Sequence, residues 1–277
     1  MEEERVENVD RYLKEHISKS DIEEIIGNVI QGYKISERML YLYQRAFVHK
    51  SVTNKIKNLE GVPKYMEENN ERMECLGDSI LGASTKLYFF HKYPTLDQGN
   101  LTKISNRIVC GTQCTKFAKK IGMSGKILMT EKTERMQLDE NDRFLEDAFE
   151  SLICAMFLEH GMGCTDLFMK NIIEKYTSES EYLRNTNYKA MLLDYCQNKK
   201  FSEPTYEIMS QEMEEGNRKI FCIVVKIGKE RKGVGSGKKV KEAQMKAAKH
   251  ALERMNLLKK LEYSLYREVY PSKPLPS

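Results

Sequence analysis

Little in this 277-residue chain points to a membrane, a secretory route or a cysteine framework. No uninterrupted apolar run approaches the roughly 18 residues of a membrane-spanning helix, so no membrane partner is expected. The opening MEEERVENVDRYLKEH is dense in charge and lacks the basic start and apolar block of a secretory signal. The seven cysteines are odd in number and include no CxxC pair, which speaks against a disulfide scaffold and against a cysteine-based zinc site. Reduced thiols in an intracellular setting, the cytoplasm first, are the expectation. The five histidines are scattered with no His-Asp dipeptide, which disfavours a His-Asp metallohydrolase. No Ser/His/Asp or Cys/His arrangement suggests a side-chain nucleophile, and there is no internal repeat.

What is present is unevenly charged. Asn187 to Lys260 holds 17 Lys/Arg against 9 Asp/Glu, whereas Met1 to Thr186 holds 26 against 30. An acidic first part and a basic second part imply two modules, the second suited to a polyanion.

Helical periodicity runs to about residue 176, with Phe149, Leu152, Ile153, Met156 and Phe157 forming one stripe. We expect an N-terminal helical extension over 1–30, an all-α domain over 31–178, a polar linker over 179–186, a small α+β domain over 187–257 and an extended tail over 258–277. In the small domain a helix from Tyr188 to Lys199 precedes a strand around Tyr206 and Ile208, and Phe221 to Ile227 reads as a buried strand. A Gly-rich turn (Gly233, Gly235, Gly237) then leads into a helix from Val240 to Met255, giving an α-β-β-β-α order.

Asn69 to Leu81 reads NNERMECLGDSIL. Glu71, Glu74 and Asp78 recur at i, i+3 and i+7, which places three carboxylates on one arc of a helix, while Met73, Leu76, Ile80 and Leu81 can face a core. Asp147 and Glu150 repeat the i, i+3 spacing on the apolar stripe just described. Charge beside buried surface is costly unless neutralised, and a hard divalent cation with oxygen ligands would neutralise it. Spacing alone still favours solvated helix faces over a metal site. Asn70 reads as a helix N-cap or a substrate-side polar group, Ser79 as packing or helix hydrogen bonding, and His49 as a hydrogen-bonded structural histidine.

The wording of these segments goes further. NERMECLGDS resembles the ribonuclease III signature NER-x-E-x-LGDS. AFVHKS (46–51) is similar to that family's ALTHRS, GNLTKISNRIV (99–109) to its GxLTxLRxxLV, and DAFESLICAMFLEHG (147–161) to its DxxEALIGAIYLDGG. The resemblance spans roughly Leu40 to Tyr176 and implies an all-α endonuclease domain. It implies Glu74 and Asp147 as principal metal ligands, Asp78 and Glu150 completing the acidic site, and Glu71 at its edge near the RNA strand or product phosphate. It further implies Mg²⁺, for which Mn²⁺ substitutes, and hydrolysis of both strands of double-stranded RNA to 5′-phosphate and 3′-hydroxyl ends with short 3′ overhangs. Gly77 is implied to permit close helix contact, and a homodimer is implied, although the bulky apolar residue that relatives insert into the partner subunit is Cys75 here. The alternative reading, a non-catalytic binder of double-stranded RNA, would be marked by lost acidic ligands, and none is lost.

Tyr188 to Met255 resembles a double-stranded RNA-binding domain: EPTYEI (203–208) is similar to its P-x-Y strand and GSGKKVKEAQMKAAKHAL (235–252) to its GxGxSKKxAKxxAAxxAL segment. Lys238, Lys239 and Lys241 cluster at a helix start, where side-chain charge and helix dipole both attract phosphate. The resemblance puts Asp194 and Asn217 among the RNA contacts. Val240 replaces the first lysine of the usual pair, Ala190 and Leu193 replace first-helix polar residues, and EEGN (214–217) replaces the loop whose His reaches the minor groove. Modest affinity with strong salt dependence is therefore expected.

Overall fold

The computed structural model describes residues 16–57, 59–136, 141–214 and 218–276. Contacts divide the chain into two units, one ending at Ser178 and the other beginning at Glu179.

Described elements of the first unit are all helical: α1 (Lys19–Gly27), α2 (Leu40–Arg45), α3 (Lys50–Ile56), a 3₁₀ turn (Lys64–Met66), α4 (Glu71–Lys92), α5 (Gln98–Ile108), α6 (Gly111–Ile121), α7 (Glu131–Met136) and α8 (Asn141–Tyr176). The unit is built around α4 against α8, its most extensive helix pair. Met73, Gly77, Ile80, Leu81, Ser84, Thr85 and Phe89 recur at three- and four-residue steps and form the buried face of α4. Opposite them, every residue from Ala148 to Met156 of α8 is buried, and Phe149 joins Phe117 and Phe168 in a chain of rings 6.0 and 6.3 Å apart. Leu76, assigned to the core by its spacing, is instead 42% exposed.

Among the described residues only α8 is long and apolar enough to cross a membrane by length and composition. Its helical path breaks at Gly161, whose φ of 72° and ψ of −173° leave the helix region, and its apolar stripe is spent on α4 and α6. Residues 16–30, the described part of the expected N-terminal extension, belong to the core: α1 buries Ile22, Ile25 and Ile26, and Asn28 Nδ2 donates to Ile121 O (3.1 Å) while Asn171 Nδ2 donates to Val29 O (3.1 Å). Hydrophobic burial and these bonds set its boundary, which length could not show.

The second unit runs α9 (Glu179–Leu183), α10 (Tyr188–Asn198), β1 (Pro204–Glu214), β2 (Arg218–Ile227), β3 (Glu230–Gly237), α11 (Val240–Arg254), α12 (Leu258–Glu262) and α13 (Ser264–Val269). The antiparallel sheet, ordered β1-β2-β3, packs Ile223 and Val225 onto Met191, Leu192 and the alanine face of α11, Ala243, Ala247, Ala248 and Ala251. The Gly-rich stretch read as a turn is strand β3. Its glycines answer to α11: a Cβ on Gly233 would stand 2.3 Å from Ala247 O, and one on Gly235 2.2 Å from Ala247 N. Alanine on the helix and glycine on the strand together allow the close approach.

The expected linker and extended tail are both ordered, and they hold each other. Tyr182 and Leu183 of α9 are buried, as are Glu262, Tyr263 and Leu265 beyond α11. Arg184 Nη2 donates to Glu262 Oε1 (2.6 Å), Tyr188 OH donates to the same oxygen (3.0 Å), and Asn185 N donates to Glu262 O (2.7 Å). A buried carboxylate with a guanidinium and a hydroxyl converts polar flanking sequence into fixed structure.

Candidate active site

The acidic residues are placed by the way α4 begins. Asn70 is buried, and its side chain donates to Ala46 O (3.3 Å) instead of capping the helix. Its backbone N–H donates to Val48 O (3.1 Å) and its carbonyl accepts from Ser151 Oγ (3.1 Å), so one residue ties the start of α4 to the 46–48 segment and to α8 beside Glu150. The local cap comes from Asn69, whose Oδ1 accepts from Glu71 N (3.1 Å). Asn70 thus stands at the N-cap position expected of it, but its side chain is a structural tie and makes no capping bond.

Gly77 fixes the spacing of the two helices. A Cβ there would lie 1.9 Å from the backbone oxygen of Glu150, so only glycine lets α4 and α8 approach this closely. Glu74 and Asp78 of α4 are thereby set against Asp147 and Glu150 of α8. Glu150 is 6% exposed. Burial, then the charges of Asp78, Glu146, Glu74 and Asp147, push its carboxyl up to about 8. Asp147 is pushed up to about 6 by burial and then by Glu74, and Glu74 is raised by burial and then by Glu71. Asp78 is exposed. Glu71 stands at the rim, where Lys50 Nζ (2.9 Å) and Asn69 Nδ2 (3.1 Å) bind its carboxylate and lower its pKa.

Among the described residues no three His, Cys, Asp or Glu side chains stand at the mutual distances of a coordination shell. Four carboxylates share one field and repel one another, and burial and that repulsion raise the pKa values of Glu74, Asp147 and Glu150. That donor set fits a hard divalent cation: it is all oxygen, partly buried, and short of positive charge. Mg²⁺ in particular binds through few carboxylates and completes its shell with water and phosphate.

His49 behaves as expected of a structural residue. Its Nδ1 accepts from Ser51 N (3.2 Å) at the start of α3, and its ring lies 4.6 Å from that of Phe144. Burial and then Lys50 lower its pKa. Ser79 Oγ donates back to Cys75 O (3.4 Å) within the helix. Two residues lining the site were missed by the spacing argument. Glu146 precedes Asp147, reaches over Gly111 at the first turn of α6, and adds a fifth charge to the field. Arg143 lies one helical turn before Asp147 and acts on Asp147 and Glu74. Their signal was available: 143, 147 and 150 recur at i, i+4 and i+7, and 146 and 150 at i, i+4.

In the second unit Lys238, Lys239 and Lys241 are exposed together around the start of α11. Lys239 occupies the N-cap without a side-chain bond, and Glu242 Oε2 accepts from Lys238 N (3.1 Å) in its stead. Asp194 is exposed on α10, which packs on α11. Asn217 lies outside the described residues.

Residues 40–176 match the family model described as ribonuclease-III-like, and residues 188–255 the double-stranded RNA binding motif. Ribonuclease 3 of one Bacillus cereus strain is 32% identical over 211 residues, covering 76% of this chain and 83% of that protein. The chain belongs to the ribonuclease III family. Ribonuclease 3 of a Staphylococcus aureus strain is likewise 32% identical, over 79% of this chain and 87% of its own. Among solved structures, the nuclease domain of ribonuclease III from Campylobacter jejuni aligns with 57% of this chain and 97% of its own, at 27% identity and a TM-score of 0.46. As a ribonuclease III with a double-stranded RNA-binding motif, the protein is a double-stranded RNA-specific endoribonuclease. The α-helical nuclease unit and the α-β-β-β-α motif are the two parts expected of it.

Proposed function

We propose that this ribonuclease III hydrolyses both strands of duplex RNA with Mg²⁺ held at the acidic site, leaving 5′-phosphate and 3′-hydroxyl ends with short 3′ overhangs; Mn²⁺ substitutes. The observation that carries the reading is Glu150, almost wholly buried yet surrounded by Asp78, Glu74 and Asp147, an arrangement that costs free energy until a cation enters. Glu74 and Asp147 serve as principal ligands, Asp78 and Glu150 complete the site, and Glu71 works at the rim beside the RNA strand. Mg²⁺ when bound supplies polarisation of the scissile phosphate, activation of water and stabilisation of the leaving 3′-oxygen. The chain's own contribution is to hold the carboxylates aligned, through the Asn70 tie and the Gly77 contact, in surroundings that favour ionisation only when a cation is bound. Lys238, Lys239 and Lys241 hold duplex phosphates, with Asp194 and Asn217 as further RNA contacts.

Cleavage of an end-labelled duplex tests the reading. Products carrying 5′-phosphate and 3′-hydroxyl ends are expected in Mg²⁺ and none in chelator; equal cleavage in chelator would overturn it.

A homodimer supplies one acidic site per strand. Cys75 and Leu76, both exposed on α4, support an interface on that face. Cys75→Phe is expected to shift the monomer–dimer equilibrium by sedimentation, tightening it if the partner socket is open and weakening it by overpacking if it is filled. An unchanged equilibrium would place residue 75 outside the interface. The seven cysteines are all free thiols, which supports an intracellular, cytoplasmic setting.

A further inference from the structure

We propose that Arg143 is a substrate-binding residue that takes a backbone phosphate of the RNA duplex beside the acidic site. The proposal rests on the acid-site reading above and assigns its rim.

Arg143, Asp147 and Glu150 lie on one face of α8 at i, i+4 and i+7. Exposure falls along that line: Arg143 is exposed, Asp147 half-buried and Glu150 buried. Along α8, a strand arriving from solvent meets the guanidinium before Asp147 and Glu150. The position is costly for cation binding alone, because Arg143 acts on Glu74 and Asp147, the two principal ligands proposed, and a fixed positive charge there opposes a second cation. What it favours is the other reactant. A phosphodiester must approach a cluster of at least four carboxylates, and each phosphate carries a negative charge that the cluster repels. A guanidinium offers a planar fork of donors matched to phosphate oxygens. Lys50, which also acts on Glu74 and Asp147, is already engaged by Glu71 at 2.9 Å, and both side chains are about half exposed, so its charge is partly balanced. Arg143 therefore supplies a cationic contact for the strand on α8, in addition to the contact proposed at Glu71.

This makes two affinities move in opposite directions. In full-length Arg143→Gln, kcat/KM in Mg²⁺ is expected to fall about ten-fold, carried by KM, and the slope of log affinity for duplex RNA against log salt to become shallower by about one. Calorimetric Mg²⁺ binding to the RNA-free variant is expected to be equal to or tighter than that of the unsubstituted protein. Arg143→Lys should recover most of the salt slope and part of KM. Unchanged KM and salt slope would overturn the proposal. So would weaker Mg²⁺ binding accompanied by a lower melting temperature, which would mark Arg143 as a structural residue. Failure of the unsubstituted protein to bind Mg²⁺ would sink the acid-site reading, and the salt slope would still decide Arg143 separately.

Discussion

Glu150→Gln is expected to abolish cleavage while leaving duplex affinity within about two-fold, because it removes one ligand charge without changing volume. The expected rate loss is on the order of a thousand-fold, equivalent to roughly 4 kcal/mol of transition-state stabilisation. Cleavage at near wild-type rate in Mg²⁺ would remove Glu150 from the site. The same substitution has a metal-free signature. The folded-state pKa of Glu150 is raised to about 8, so its contribution to stability is complete below its unfolded value near 4.5 and is lost as pH rises through 8. Asp147, raised to about 6, adds a loss in the lower part of that window. In chelator the wild-type protein should therefore melt at progressively lower temperature from about pH 5 to pH 8, and Glu150→Gln should flatten the profile. Mg²⁺ should raise the wild-type melting temperature more at pH 8 than at pH 5, since binding a cation requires the ionised carboxylates. A melting temperature independent of pH and Mg²⁺ would show that the cluster is not strained.

Gly77→Ala should be the most damaging single methyl group in the nuclease unit. The obstacle at 1.9 Å is the backbone oxygen of Glu150, with its carbonyl carbon at 2.6 Å, so no flexible side chain can yield. Separating α4 from α8 strains the packing around Leu81, Phe149 and Ile153. Overpacking of this kind costs roughly 3 kcal/mol, a fall of about 6 to 12 °C in melting temperature for a unit of this size. It also moves Asp78 relative to Glu150, and a shift of about 1 Å at a catalytic site costs on the order of a hundred-fold in rate. Thermal melts and cleavage rates on one preparation would check both; a fully stable and active variant would show that the helices are not held apart by this contact.

The helical nuclease unit and the acidic residues were legible because both depend on short-range periodicity. Glu71, Glu74 and Asp78 share an arc, and so do Asp147 and Glu150, whatever the rest of the chain does. What sequence hides depends on distant neighbours. Leu76 has the spacing of a core residue, but α4 turns the face carrying Gly77 to α8 and leaves Leu76 exposed. Gly233, Gly235 and Gly237 carry the composition of a turn, and only the alanine face of α11 explains why a strand there must lack side chains. Asn70 sits where a cap belongs, yet its amide is drawn to Ala46 by the segment across from it. Arg143 and Glu146 escape a reading by resemblance because the similar segment begins at Asp147.

The pairing of Arg184 with Glu262 changes what joins the two units. An eight-residue linker read from sequence suggests a loose leash, with a root-mean-square span of about 16 Å if flexible. Helix α9 and the Glu262 clamp take that slack away, and only Thr177 and Ser178 separate Tyr176 of α8 from Glu179 of α9. The residues after Leu257 then act as a buckle on the strap that enters the RNA-binding unit. A chain cut at Met255, where the match to the RNA-binding motif ends, would keep Arg184 and discard its carboxylate, leaving a longer and slacker tether than the whole protein has.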